Sequence, residues 1–418
     1  MSITKKHGRR VLEPNRDQAV IRVEVPDDAI AMEHPARLIW MLVQQLDLTK
    51  ILLKSRSVEG SAGRPSISPA VKLSIWLYGI SEGVGSAREI ERLTRTDIAF
   101  RWITGGLSVS HHSLSAFRVA HGEVFDQLFT DVIATLLAKG LISLAAVAQD
   151  GTRVRASASP PSFRTEASLL KCREQAELHL KAVLAAAENP EYTRAQHAAR
   201  IGRAREIQAR VEAAIETVRE LQKDRDPRYA AARASTTDAD ARTMKMGDSG
   251  FRPAFNVQFA TAGDKMGGPR TIVGVRVTTN TTDMGSLNPM LDEIHARAGQ
   301  LPSALVADAG HAKHADIAAA MSRGVDVIVP VPDDPRHTKG TRNNATAEIV
   351  AWRRRMQDPD AKDLLRWRAS ACELSNAHAK QRLGMRQFLV RGVAKVTCVV
   401  LLTALTANLL AHASALLG

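Results

Sequence analysis

The stretch Ala145-Ala146-Val147-Ala148-Gln149-Asp150-Gly151-Thr152-Arg153 decides how this chain is read. Its first five residues are apolar enough for a buried central or parallel strand. Asp150 closes the run where a sheet passes its chain to a loop, a common position for reacting groups. The Asp-Gly pair also reads as a plain turn, with the aspartate bonding its own backbone and the glycine supplying a special dihedral. What separates the readings is whether other carboxylates end comparable elements.

Asp308 does, closing the short apolar run 303–307 ahead of Ala309-Gly310. The two aspartates can share a face only if their strands are neighbours, and in a parallel pair both would point from the same edge. A third carboxylate would complete a site for a hard divalent cation such as Mg²⁺ or Mn²⁺, which prefers oxygen ligands. Glu373 is the candidate. It lies in a basic helical segment, after Arg366 and Arg368 and before His378, Lys380 and Arg382. On helical spacing Arg366, Glu373, Asn376 and Lys380 share a broad face, although a carboxylate among so many cations is also explained by ion pairing alone. Two rival arrangements exist. Asp308, His311 and His314 have a spacing that suits Zn²⁺ or Ni²⁺, and Glu348 is an alternative third ligand. Asp238, Asp240 and Asp283 read as turn, cap or accessory residues.

Composition narrows the partners. Lys and Arg total 57 against 44 acidic residues in 418, a net charge of +13. That balance favours a polyanionic partner, nucleic acid before membrane. With 44% apolar and 24% charged residues the chain is globular rather than disordered. Cys172, Cys372 and Cys398 are far apart; they exclude a disulfide scaffold or zinc finger and suit a reducing cytosol. Lys5, Lys6, Arg9 and Arg10 are not followed by an apolar segment, so no signal peptide is expected. Residues 397–417 have the length of a membrane span, but Asn408, His412 and Ser414 favour a buried core helix.

The chain divides into a basic leader over 1–34, with an extended piece at 19–25, and an all-helical block over 35–140. The rest is a mixed sheet flanked by helices over 141–412 and a tail over 413–418. Helices are expected at 35–53, 69–81, 86–94, 99–104 and 112–132. Ser86 with Glu89 forms a capping-box pattern. Arg88, Arg92, Arg95, Arg101 and Arg118 are placed to meet DNA phosphates from this block. Between its first two helices, Gly63-Arg64-Pro65 is a basic linker or a phosphate contact. In the later region a charged helical hairpin over 165–230 interrupts the strands. Strands follow at 254–260 and 270–279 as an antiparallel pair, then at 303–307 and 325–330, with helices at 287–298, 314–321, 347–355, 361–374 and 393–412.

In this order the sequence resembles the DDE transposases of bacterial insertion sequences, in the grouping of insertion-sequence families 4 and 5 and its 1182-like members. The likeness runs from about residue 35 to 412. It is carried first by Gly63-Arg64-Pro65, by Tyr78-Gly79 with Gly83-Val84-Gly85-Ser86-Ala87-Arg88-Glu89-Ile90-Glu91, by Arg101-Trp102 and by His112-Ser113-Leu114-Ser115-Ala116-Phe117-Arg118. Further on it is carried by Asp150-Gly151-Thr152, the 235–242 segment, Phe255-Asn256-Val257-Gln258, residues 280–283 and Ala307-Asp308-Ala309-Gly310. Glu373 with Lys380, Arg391-Gly392-Val393-Ala394-Lys395-Val396 and Asn408-Leu409 complete it. The chain departs from the pattern at His111, at His311 (where a tyrosine is usual), at Val399 and at the tyrosine position ahead of Glu373, where Leu365 or Trp367 stands.

The resemblance implies an RNase H-like fold with a helical insertion after the first core strand, and Asp150, Asp308 and Glu373 as catalytic metal ligands. It implies Mg²⁺, with Mn²⁺ as substitute, for phosphodiester hydrolysis and strand transfer. Lys380, Arg366, Arg368, Arg118, Arg88 and Arg64 would contact DNA. The implied partners are double-stranded DNA with terminal inverted repeats and a second copy of the chain, in the cytoplasm at the nucleoid and without a membrane. The alternatives are a non-catalytic DNA-binding protein descended from a decayed transposase, or a general metal-dependent nuclease.

Overall fold

The computed structural model describes residues 25–54, 65–186, 192–223, 225–226, 228–264, 267–332 and 346–418. Arg64, the extended piece before Val25 and residues 333–344 lie outside the described residues.

The helical block contains α1 (Pro35–Gln44), α2 (Thr49–Leu53), α3 (Pro69–Ser81), α4 (Ala87–Thr96), α5 (Ile98–Thr104), α6 (His111–Ala120) and α7 (Gly122–Ala138). Its boundaries follow from local chemistry. Ser68 accepts from Ala70 N–H ahead of Pro69, which starts α3 without an orphaned donor. Asp97 accepts from Ala99 and Phe100 N–H to start α5, and Gly105 ends it in the left-handed region. Only half of the Ser86 capping box forms. Ser86 accepts from Glu89 N–H, but the Glu89 carboxylate turns to Arg92 instead. The helix expected as one piece over 112–132 breaks at His121. A Cβ on Gly122 would lie 2.9 Å from Cys398 Sγ, so the break brings backbone against a core helix where a side chain would not fit.

The second region begins with β1 (Ala146–Arg155), followed by the short β2 (Phe163–Arg164) and the helices α8 (Glu166–Ala185) and α9 (Arg194–Lys223). These two helices pack on one another, with Leu169, Val211, Ile215 and Val218 in a separate small core. Next come β3 (Ala234–Ser235), β4 (Arg242–Lys245), β5 (Phe251–Asp264), β6 (Gly267–Thr278), α10 (Leu287–Ala298), β7 (Ala304–Val306), α11 (His314–Ser322) and β8 (Asp326–Ile328). The chain then forms α12 (Ala347–Arg355), α13 (Pro359–Gln381), α14 (Val393–Ala411) and α15 (Ala413–Leu417).

The main sheet runs β4-β5-β1-β7-β8, with β6 also paired to β5. Strand β5 is antiparallel to each of β4, β6 and β1, whereas β7 and β8 run parallel to β1. This mixed sheet is flanked by helices, as the order of elements implied. One local expectation is overturned. Strand β1 does not end at Asp150 but continues to Arg155, paired with β5 from Val147↔Ala262 to Arg155↔Ala254. The Asp-Gly pair is therefore mid-strand and is not a turn.

Helix α14 joins the two regions. It packs on α7, α3, α6 and β6, and its middle, residues 400–406, is buried on all sides. By length and composition it is apolar enough to cross a membrane, yet its polar groups are used inside the protein. Asn408 Nδ2 donates to Ile272 C=O at 2.8 Å and Asn408 Oδ1 accepts from Ile272 N–H at 2.9 Å, closing the free edge of β6. Beyond the helix end, His412 bonds Thr271 Oγ1 at 2.6 Å. At its start, Asp238 and Asp240 accept from Gly392 and Val393 N–H, a two-carboxylate cap favoured by the helix dipole. One continuous apolar core runs from Ile39 in the helical block to Leu305 in the sheet.

Candidate active site

Parallel pairing of β1 with β7 aligns Ala148 with Val306. Asp150 and Asp308 each lie two residues beyond that pair, so the register puts the two carboxylates side by side at one level of the sheet. Helix α13 covers them, packing Ala371, Cys372 and Trp367 over Ala148. Asn376 Nδ2 donates to Asp150 Oδ2 at 2.8 Å. Arg368, one helical turn before Cys372, reaches both aspartates electrostatically, and Lys380, one turn after Asn376, reaches Asp150.

The two aspartates differ in their electrostatics despite the shared register. Burial, and next the neighbouring Asp308 charge, push the Asp150 carboxyl above its ordinary range. Asp308 is held below it, first by the hydrogen bond from His311, and also by Arg368 and by Gly310 N–H at 2.9 Å. Lys380 is shifted down, mainly by burial and then by Arg153, with Asp150 opposing. Burial and the Asp150 charge push the Cys372 thiol up to about 12, which makes it a packing group at neutral pH.

Glu373 lies beside Cys372 on the exposed side of α13. Among the described residues no three His, Cys, Asp or Glu side chains are grouped as a metal site. The structure brings Asp150 and Asp308 together and puts Glu373 on the helix that covers them. The donor set nevertheless suits a hard divalent cation. It is oxygen-rich, and Asn376 Oδ1 is buried beside Asp150 without a hydrogen-bond partner.

The rival metal sites are not formed. His311 is fully buried, with Nδ1 on Asp308 at 2.7 Å and Nε2 facing Gln258, while His314 stacks edge-on against Trp352. Glu348 sits in the first turn of α12, its pKa lowered by a hydrogen bond with Thr346.

The candidate DNA contacts separate by position. Arg118 is not available to DNA: it is 5% exposed, lies 4.5 Å over the Trp76 ring and donates to Gly85 C=O at 2.7 Å. Burial pulls its pKa down to about 10. Arg366 points to solvent and pairs with Asp363 at 2.5 Å, whereas Arg368 faces the aspartates. Arg88 is exposed and has no ion pair among the described residues. Arg92 and Arg95 are held by Glu89 and Glu91.

The other face of β1 carries a polar network built around Asp283, one of the accessory positions. Asp283 Oδ1 accepts from Asn256 Nδ2 at 2.7 Å and Gln258 Nε2 at 2.6 Å, and its Oδ2 pairs with Arg153 at 2.9 Å. Gln149 donates to Gln258 and Ser286. A Cβ on Gly151 would lie 2.2 Å from both Asp283 Oδ1 and Gln258 Nε2, so the glycine is required by this network and not by a bend in the chain. The available signal was Asn256 and Gln258, two polar residues sharing one face of an otherwise apolar strand.

Comparison with known protein families agrees with this architecture. A family model described as Transposase domain (DUF772) matches residues 24–120, and one described as Transposase DDE domain matches residues 231–409. The chain thus carries a match to a transposase domain followed by a match to a transposase DDE domain, in that order along its length. Asp308, Glu373 and Lys380 fall within the second match, whereas Asp150 lies between the two and owes its place in the site to strand pairing. No curated protein and no solved structure matches the chain.

Proposed function

We propose that this protein is an active DNA transposase that hydrolyses phosphodiester bonds at the ends of an insertion sequence and joins the freed 3′ ends to new DNA. The observation that carries this reading is the equal register of Asp150 and Asp308 beneath the helix bearing Glu373, Asn376 and Lys380. The sheet order, three antiparallel strands followed by two parallel to the first, supports an RNase H-like catalytic domain, with α8 and α9 as its insertion.

Asp150, Asp308 and Glu373 would hold divalent cations, Mg²⁺ with Mn²⁺ as substitute. Such ions supply Lewis acidity at phosphorus and lower the pKa of an attacking water or 3′-hydroxyl. The chain's own groups do the positioning. Asn376 fixes the outer oxygen of Asp150, and His311 with Gly310 N–H fixes Asp308. Arg368 offsets the paired negative charge while the site is empty of substrate. Lys380 meets a backbone phosphate next to the scissile one as a point charge. Double-stranded DNA with terminal inverted repeats is the substrate, and two copies of the chain hold two ends in the cytoplasm.

The test is incubation of the purified protein with duplexes carrying the inverted repeats that flank its gene, in Mg²⁺ or Mn²⁺. Nicking at the repeat ends followed by strand joining is expected. The exposed Glu373 favours a second reading, a DNA-binding protein that has lost cleavage. Binding without nicking at any cation concentration would establish that reading and reject the first. Cutting that ignores the repeats and joins nothing would indicate a general nuclease.

A further inference from the structure

Where the helical block meets the end of α13, two glycines touch backbone to backbone. Gly83 follows α3 with φ +74°, and Gly384 follows α13 with φ +73°. A Cβ on Gly384 would lie 2.5 Å from Gly83 C=O, and one on Gly83 would lie 3.0 Å from Arg382 C=O. Above this contact is a groove of about 510 Å³, walled on one side by Ser81, Glu82 and Gly83 and on the other by Lys380, Arg382 and Arg386. Beneath it the seam is apolar, with a small cavity of about 30 Å³ lined by Trp76, Ile80, Leu383, Met385 and Phe388. After α13 the segment alternates. Leu383, Met385 and Phe388 are buried, while Arg382 and Arg386 are exposed.

The charge in this groove is unbalanced. Among the described residues Arg382 and Arg386 form no ion pair, and Glu82 is the one carboxylate in the lining. Elsewhere on the surface, arginines such as Arg92, Arg95, Arg228 and Arg366 are each paired with a neighbouring acid. Lys380 belongs to both places, since it lines the groove and feels the Asp150 charge. Lys380 thus links the groove to the aspartates.

We infer that this interdomain groove holds the duplex DNA backbone next to the reacting phosphodiester, with Arg382 and Arg386 as its phosphate contacts and the helical block as its far wall. The inference rests on the transposase reading but is tested apart from cleavage. Guanidinium groups pair phosphate oxygens in a bidentate fork, and the Gly83–Gly384 contact keeps the walls close enough for both to reach one strand. Glu82 on the opposite wall repels the same strand, so it limits affinity and favours release. The helical block thus forms part of the catalytic cleft and does not act only as a separate reader of sequence.

The experiment measures binding of the full-length protein to a fluorescent duplex, without divalent cation, across a series of salt concentrations. Each phosphate contact contributes about 0.9 to the slope of log affinity against log salt. The double variant Arg382→Gln with Arg386→Gln is expected to lower that slope by about 1.8 and to weaken binding at low salt roughly tenfold or more. Glu82→Gln is expected to tighten binding. An unchanged slope in the double variant, with wild-type unfolding temperature, would falsify the groove assignment while leaving the transposase reading intact. Failure of the wild-type protein to bind any duplex would overturn both. A slope lowered equally by Arg88→Gln with Arg366→Gln would show diffuse surface attraction and also overturn the groove.

Discussion

The two faces of β1 are built on opposite terms. On one, Gly151 makes room for the buried Asp283, whose carboxylate is matched by Asn256, Gln258 and Arg153. On the other, Asp150 lies beside Asp308 with a hydrogen bond from the Asn376 side chain and its ionisation disfavoured. A satisfied buried network fixes a strand in register. An unsatisfied pair of like charges costs stability and persists because a ligand can use it. The difference teaches that β1 is anchored from one side so that it can hold reactive groups out of balance on the other.

The comparison breaks most severely at the reactive face. Asp150→Asn or Asp308→Asn is expected to reduce cleavage about a thousandfold or more, measured as nicking rate at saturating Mg²⁺, because neutral amides are poor ligands for hard cations. Retained cleavage in either variant would remove that aspartate from the site. Gly151→Ala attacks the anchored face. Its methyl group meets two network atoms at 2.2 Å, and overpacking of this kind costs about 3 kcal/mol in denaturant unfolding. A cost under about 0.5 kcal/mol would mean the network shifts freely and does not anchor the strand.

Asp283→Asn is a milder version of the same break. It keeps the volume but leaves Arg153 without its counter-charge, at an expected cost of about 2 kcal/mol. The effect should be smaller than that of Gly151→Ala, and the reverse order would point to charge rather than space as the anchor. The smallest effect has the opposite sign. The folded pKa of Asp150 is raised above its unfolded value, so its favourable contribution is present at low pH and is lost as pH rises through the folded value. Asp150→Asn should therefore raise the unfolding temperature of the metal-free protein at neutral pH, on the order of one or two degrees. The gain should vanish in acid. A loss of stability at neutral pH would mean that Asp150 is already satisfied without a cation.

Much of the architecture was legible because the chain marks it locally. Ser68-Pro69, Asp97 and Gly105 announce helix ends by satisfying or avoiding orphaned backbone groups, and α3, α5, α10 and α12 lie within a residue of where periodicity and caps place them. The break at His121 was not legible, since its cause is Cys398, far away in sequence. Arg118 illustrates the same limit for function. In sequence it is one more arginine of a basic block, and only the position of Trp76 and Gly85 turns it into a core residue.

The sequence by itself determined the order of elements, the basic charge and the presence of an aspartate at each of two short apolar runs. Periodicity, capping and composition are local properties, and one chain suffices to read them. The tertiary structure decided what those aspartates are. Parallel pairing of β1 with β7 brought Asp150 and Asp308 to one level, and β5 carried β1 onward through Gly151 so that the Asp-Gly pair became mid-strand. Helix α13 then placed Asn376 on Asp150 and left Glu373 exposed. Each of these depends on which distant segments lie side by side, and neither residue type nor spacing along the chain encodes that directly.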